Sequence, residues 1–164
     1  MIEAVIFDLD GTLIQLPIDY EKLFQEFKTL MRVSDVRPLV DTVLRADEKT
    51  RKLVFRAWDN AELAVSEKVV ANEEGMKIYE TYLHKPKALV TLQGKRMVKS
   101  VLERFGLSFD VVVTREDTLK RDEQLGKAAE KLKTNLPNLL FVGNTENDSI
   151  AAETVGCQFL RVRS

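Results

Sequence analysis

Apolar positions along the chain fall into two patterns: short unbroken runs, and longer segments in which they recur at every third or fourth residue. The runs Ala4-Val5-Ile6-Phe7, Ala88-Leu89-Val90, Val111-Val112-Val113, Leu139-Leu140-Phe141-Val142 and Phe159-Leu160-Arg161-Val162 are short and rich in β-branched residues. Strands that are apolar on both faces belong at the centre of a parallel sheet, where helices cover both sides. Between the runs lie helical stripes. Val98, Val101, Leu102 and Phe105 form one, and Gly106 is its natural stop. Leu125, Ala128, Ala129 and Leu132 form a second; Ile150, Ala151 and Val155, ahead of Gly156, form a third. Strands alternating with helices predict βαβ crossovers and an α/β fold with a parallel five-stranded Rossmann-like sheet, helices on both faces.

The stretch 15–85 breaks the alternation and shows no strand pattern. Asp19 can cap a helix carrying Tyr20, Leu23, Phe24, Phe27 and Met31. Ser34 can cap another, with Pro38 in its first turn and Leu39, Val40 and Val43 on its apolar side. Leu53, Val54, Ala57 and Trp58, then Leu63, Val69 and Val70, then Met76, Tyr79 and Leu83, continue the helical reading. The stretch therefore predicts a small all-helical insertion, bounded by turns at Leu16-Pro17 and Lys85-Pro86. The core is then 1–14 together with 86–164, and the insertion is 15–85.

Composition narrows the partners. The chain has 164 residues, enough for one core and one insertion. With 25 Lys and Arg against 26 Asp and Glu, it has no general basic surface for nucleic acid. One cysteine and one histidine exclude a disulfide framework and make a zinc cluster implausible. The acidic Glu3 ahead of the first apolar run argues against a signal peptide, and no apolar stretch approaches the ~20 residues of a membrane helix. These features predict a cytoplasmic protein with no membrane partner, monomeric or dimeric.

The chemistry concentrates at strand ends. Asp8-Leu9-Asp10-Gly11-Thr12 follows the first run directly. Two carboxylates so close repel unless a cation joins them, and Mg2+ prefers such oxygens. Asp8 can then attack phosphorus, and Asp10 can protonate the leaving group and later deprotonate water. The alternative is a plain Asx turn that closes a strand.

The segment from Val5 to Leu13, V-I-F-D-L-D-G-T-L, resembles the first motif of the haloacid dehalogenase-like hydrolases. Three further segments resemble the later motifs in order. Leu89-Val90-Thr91-Leu92-Gln93-Gly94 is similar to the second. It implies a phosphoryl-binding role for the Thr91 hydroxyl and the backbone N–H groups beyond it, beginning with Leu92, alongside Thr12. Thr118-Leu119-Lys120-Arg121-Asp122 is similar to the third, whose basic residue neutralises the phosphoryl group. Lys120 is the first choice there and Arg121 the runner-up; a basic pair at the positive end of a helix suits a nearby anion. Leu139 to Asp148 is similar to the fourth, except that Asn144 stands where the family has its first acid. The resemblance implies Mg2+ held by Asp8, the Asp10 backbone carbonyl, Asn144 and Asp148. It also implies a strand order of 5-4-1-2-3, with the strands ending at Asp8 and Asn144 side by side, and a helical cap formed by the insertion.

The implied activity is Mg2+-dependent hydrolysis of a small phosphorylated metabolite, a phosphate monoester, through an aspartyl-phosphate. Family members that remove halide lack an acid at the Asp10 position, so Asp10 favours phosphoryl transfer. The rival is a non-catalytic or weakly active member that binds a phosphorylated ligand, its metal site weakened by Asn144.

Overall fold

The computed structural model describes residues 1–163. In chain order its strands are β1 (Ala4–Phe7), β2 (Ile14–Gln15), β3 (Val70–Ala71), β4 (Lys87–Val90), β5 (Val111–Val113), β6 (Leu139–Gly143) and β7 (Gln158–Arg161). The helices are α1 (Tyr20–Met31), α2 (Leu39–Arg45), α3 (Glu48–Val65), α4 (Glu73–Thr81), α5 (Lys95–Phe105), α6 (Arg121–Leu132) and α7 (Glu146–Val155). Every apolar run becomes a strand of one parallel five-stranded sheet, in the order β5-β4-β1-β6-β7. This is the expected order, and Phe7 lies opposite Val142 in register. The carboxyl ends of β1 and β6 therefore meet, and with them Asp8 and Asn144.

Alternation along β1 divides the core into two layers. Val5 and Phe7 face one side, packed with Met97, Val98 and Val101 of α5. Ala4 and Ile6 face the other, with Leu125, Ala128 and Ala129 of α6 and Ala151 and Ala152 of α7. All four β1 residues are fully buried, and burial of each large apolar side chain contributes about 1.5–3 kcal/mol.

The insertion forms its own small core. Leu23 and Phe27 of α1 meet Val43 of α2 and Val54, Ala57 and Trp58 of α3, closed from below by Leu119. Asp19 caps α1 as expected, accepting from the Lys22 N–H at 3.1 Å. The helix expected after Ser34 begins only at Leu39, because Pro38 pushes Arg37 out of helical backbone angles.

Two expectations about the insertion change. It contains a strand: β3 pairs antiparallel with β2, Ile14 opposite Ala71 and Gln15 opposite Val70. Its exit is also earlier than Lys85, since α4 packs on the sheet rather than on the helical cap. The Tyr79 ring lies 5.9 Å from Phe7 and 5.7 Å from Phe109, and Met76 and Ile78 join the same core. A two-residue ladder has no readable period, and the stripe of α4 is the same whichever surface it covers. A third change concerns Ile150, which is 51% exposed. Helix α7 instead buries Ala151, Ala152 and the carboxylate of Asp148. No helix is long and apolar enough to cross a membrane among the described residues.

The β2–β3 pair makes the cap separable. Removing residues 16–69 and joining Gln15 to Val70 through an Asn-Gly turn leaves a core that unfolds cooperatively in urea. Extending the deletion to residue 85 strips α4 from the Val5 and Phe7 face and abolishes that transition. A cooperative transition in the longer deletion would place α4 with the cap after all.

Candidate active site

Asp8 is the last residue held by the sheet ladder. Its N–H donates to the Val142 carbonyl at 3.0 Å, and its side chain is nearly buried. The chain then folds back on itself, with the Leu9 carbonyl accepting from the N–H groups of Thr12 and Leu13 at 3.2 and 2.9 Å. The turn depends on Gly11, whose φ of +82° disfavours any side chain. A Cβ there would also collide with the Asn144 amide, which lies directly over it. The Thr12 hydroxyl donates to Asp8 Oδ2 at 3.2 Å and lies 3.5 Å from Asn144 Oδ1. Asp8, Thr12 and Asn144 thus converge as the sequence predicted.

The basic residue that meets Asp8 is Arg121, the runner-up, and not Lys120. Arg121 Nη2 donates to Asp8 Oδ1 and Nε to Asp148 Oδ1, both at 3.0 Å. Its third nitrogen, Nη1, donates to Gln124 Oε1 at 2.6 Å. The Gln124 amide in turn donates to the carbonyls of Thr91 and Thr118, each at 2.9 Å. Lys120 is exposed at the N-cap of α6, on the cavity wall. Successive helix positions differ by about 100° around the axis, so a one-residue shift in where α6 starts decides which cation points at Asp8.

Asp148 is held by its own helix. It completes a capping box with Thr145, whose hydroxyl accepts from the Asp148 N–H at 3.1 Å. Its Oδ2 accepts from the N–H groups of Asn144 and Thr145 at 3.1 and 3.3 Å, leaving Oδ1 for Arg121.

Asp10 is held from the cap side. Its Oδ1 accepts from the Leu16 N–H at 2.9 Å, and its Oδ2 from the Tyr20 hydroxyl at 3.2 Å. Tyr20 opens α1, and the sequence showed it as part of an apolar stripe. Burial and the neighbouring Asp10 push the Tyr20 hydroxyl well above its ordinary value, so it stays a donor. Burial also raises Asp10, against its hydrogen bonds to Leu16 and Tyr20. Asp8 is pushed up to about 7 by burial, with Arg121 pulling down and Asp148 and Asp10 pushing up.

Thr91 is fully buried and sits under the floor rather than on the wall. Its hydroxyl donates to Gln93 Oε1 and accepts from the Gln93 N–H. Leu92 and Gln93 themselves line the cavity, which measures about 610 Å³ and is overhung by Val40 and Asp41 of α2. Gln93 stands within the segment similar to the second motif but has no role assigned there, and Gln124, on the first turns of α6, carries no motif signal.

The oxygens of Asp8, Asn144 and Asp148, with the Asp10 backbone carbonyl, are hard donors of the kind Mg2+ prefers. The set fits that ion in donor type. It is poor in charge, because Asn144 is neutral and Arg121 already offsets one of the two carboxylates. No group of three or more His, Cys, Asp or Glu side chains is arranged for a metal among the described residues.

Comparison with known proteins places the chain in context. The profile of a family described as haloacid dehalogenase-like hydrolase matches residues 5–162. Pyrophosphatase PpaX of Halalkalibacterium halodurans is 28% identical over 175 residues, covering 94% of this chain and 80% of that protein. The fold is similar to that of a putative phosphoglycolate phosphatase from Lactobacillus plantarum, with a TM-score of 0.71 and 18% identity over 97% of this chain and 86% of that one. It is also similar to CbbY from Rhodobacter sphaeroides in complex with phosphate, with a TM-score of 0.69 and 17% identity over 100% of this chain and 87% of that one.

The raised Asp8 sets a pH dependence in the absence of divalent ions. Asp8 keeps its proton in the fold up to about pH 7, while the unfolded chain releases it near the ordinary 3.8. Its contribution to stability is therefore full below the unfolded value and is lost as pH rises through about 7. In urea melts with chelator, Asp8→Asn weakens this decline and stabilises the protein by on the order of 1–2 kcal/mol above neutrality. Arg121→Met carries the decline to higher pH, and Lys120→Met leaves it unchanged. A shift with Lys120→Met of the same size as with Arg121→Met would restore Lys120 as the partner of Asp8.

Proposed function

The chain belongs to the haloacid dehalogenase-like hydrolase family, and from the site it carries we propose that it hydrolyses a small phosphate monoester through an aspartyl-phosphate. The observation that carries this reading is the pair of aspartates at the cavity floor, both raised by burial but held by different partners. Asp8 faces a guanidinium at 3.0 Å, and Asp10 faces a phenol and a backbone N–H with its carboxyl raised by burial. The guanidinium opposes the burial of Asp8 and favours its charged, attacking form, while the raised carboxyl of Asp10 faces hydrogen-bond donors and suits a proton donor.

An Asp8 oxygen forms the bond to phosphorus as the P–O bond to the leaving alcohol breaks. Asp10 gives its proton to that alcohol. Water then attacks phosphorus, the Asp8–phosphoryl bond breaks, and Asp10 takes the proton from the water. Inorganic phosphate leaves, and both aspartates return to their starting states. Arg121 reaches from Asp8 to the incoming phosphoryl oxygens and offsets their charge. The Leu92 N–H binds the same oxygens, and the fully buried hydroxyls of Thr12 and Thr91 join it once released from Asp8 and from the Gln93 amide. Asp8, the Asp10 carbonyl, Asn144 and Asp148 would hold Mg2+, which supplies further neutralisation of the phosphoryl group.

The wall of the cavity supports a monoester over pyrophosphate, the substrate named for the PpaX relative. With Arg121 committed to the transferred phosphoryl, Lys120 is the basic residue left on the wall, and Asp41 and Asp122 lie on the same wall. A second phosphoryl group would meet more negative than positive charge, whereas a neutral or amine-bearing alcohol would not. Val40, Leu92, Leu119 and Ile150 add apolar surface for its carbon skeleton. The second reading, a binder that does not turn over, draws on Asn144 alone.

Hydrolysis of an aryl phosphate with Mg2+ tests the first reading, and Asp8→Asn abolishes it. Asp10→Asn slows it by about 10²–10⁴-fold. Asn144→Asp tightens Mg2+ in calorimetric titration and raises the rate at limiting Mg2+, because ligand charge governs affinity for hard cations. If neither protein cleaves any phosphate ester while both bind phosphate, the non-catalytic reading replaces this one.

A further inference from the structure

Beneath the cap lies a second buried ion cluster that the chemistry above does not use. Arg115, in the loop after β5, has no exposed surface on its side chain. Its Nη1 donates to Glu62 Oε2 at 2.8 Å and to the Leu92 carbonyl at 3.1 Å, and its Nη2 donates to Asp59 Oδ1. Its guanidinium carbon stacks 4.4 Å from the Trp58 ring centroid and 5.6 Å from that of Phe55. Asp59, Glu62, Trp58 and Phe55 all belong to α3 of the cap. The other oxygen of Glu62, Oε1, accepts from the Gly94 N–H at 3.0 Å. A Cβ at Gly94 would run into both Asp59 and Arg115, so the loop passes this point only as glycine.

The cap helix is therefore bonded to the loop 91–94 directly at Gly94 and, through Arg115, at Leu92. Arg115 holds its carbonyl at Leu92 and Glu62 holds its N–H at Gly94. Between those points Leu92 and Gln93 line the cavity, and Gln93 controls the Thr91 hydroxyl. A buried charge cluster of this kind is a weak device for stability, because desolvation offsets most of the attraction. It is a strong device for geometry, since the planar fork holds its acceptors in fixed directions and a lysine's rotatable ammonium does not.

We propose that Asp59, Glu62 and Arg115 are positioning residues that couple the cap to the phosphoryl-binding loop, so that α3 sets where the Leu92 and Gln93 groups stand against the phosphoryl oxygens. The identity of the ligand rests on the phosphatase reading; the coupling itself does not. The cap acts on the reaction through this tie as well as by covering the cavity. Contacts far from phosphorus, such as the Trp58 stack, then feed into phosphate binding.

The test replaces the buried pair by neutral groups of similar size, Arg115→Met with Glu62→Gln, in the full chain. Urea melts identify folded variants. Inorganic phosphate binding is read by calorimetry, and aryl phosphate turnover as KM and kcat. The coupled loop predicts that phosphate affinity falls and KM rises by about tenfold or more, the worth of one charge-assisted hydrogen bond, with kcat changing less. Arg115→Lys recovers only part. Trp58→Leu also weakens phosphate, and its effect disappears in the Arg115→Met background, which separate losses of stability would not produce. A folded pair variant that stays within about twofold of the starting protein in both affinity and KM overturns the proposal. Amide exchange gives an independent readout if the pair variant does not fold or the starting protein neither binds phosphate nor cleaves esters. Glu62→Gln and Arg115→Lys, taken singly, must then speed exchange at Gly94 and at its neighbours Leu92 and Gln93. Unchanged exchange at Leu92 and Gln93 overturns the coupling.

Discussion

A carboxylate at the end of a central strand cannot lie buried without a positive partner, and the site is organised around meeting that need for Asp8. Arg121 meets it, but only because Asp148 and Gln124 hold the guanidinium in place from two sides. Asp148 is available because a helix cap fixes its other oxygen, and Gln124 because it is anchored on two loop carbonyls. The ion pair thus links β1, α6, α7 and the loop after β4 into one frame. Even so, burial outweighs the pairing and leaves Asp8 with a raised proton affinity. A site so loaded is poised for a ligand that brings its own oxygens and cations, at the expense of the metal-free fold.

The sheet order makes this convergence possible. Parallel strands with crossovers bring all carboxyl ends to one edge, and the strand order reverses about β1, with β4 and β5 on one side and β6 and β7 on the other, which opens a crevice there. The cap is inserted directly after the first catalytic loop. Its stem, β2 with β3, leaves that loop within reach of both units. Asn72, just after β3, donates through its side chain to the Gly11 carbonyl at 3.3 Å. Tyr20, just inside the cap, reaches Asp10. The cap is therefore built into the electrostatics of the site at its stem and again at Arg115.

Arg121, Asn144 and Asp41 set this cavity apart from one meant for highly anionic ligands. A neutral amide in place of an acid lowers the charge offered to a divalent cation, and one guanidinium supplies fixed positive charge that needs no ion. Asp41 and Asp122 on the wall carry the proposal that a second phosphoryl group is disfavoured. Family membership fixes the type of reaction far better than it fixes the leaving group, because the residues on the wall lie outside the shared motifs.

The strands, the aspartate loop and most helix stripes of the core were legible in the sequence, because each is a local pattern; the sheet order and the meeting of Asp8 with Asn144 were implied only by the resemblance of the strand-end motifs to one family. Strand runs, turn glycines and caps are decided by residues within a few positions of one another. Four features required the folded chain. The choice of Arg121 over Lys120 depends on where one helix starts. The placing of α4 on the sheet depends on which apolar surface it meets, and β2 with β3 on a ladder too short to have a period. The Arg115 cluster unites residues more than fifty positions apart, none of which belongs to a motif. Burial and the partner of a charge are properties of the packed molecule, and no periodicity in the chain encodes which arginine will lose its water.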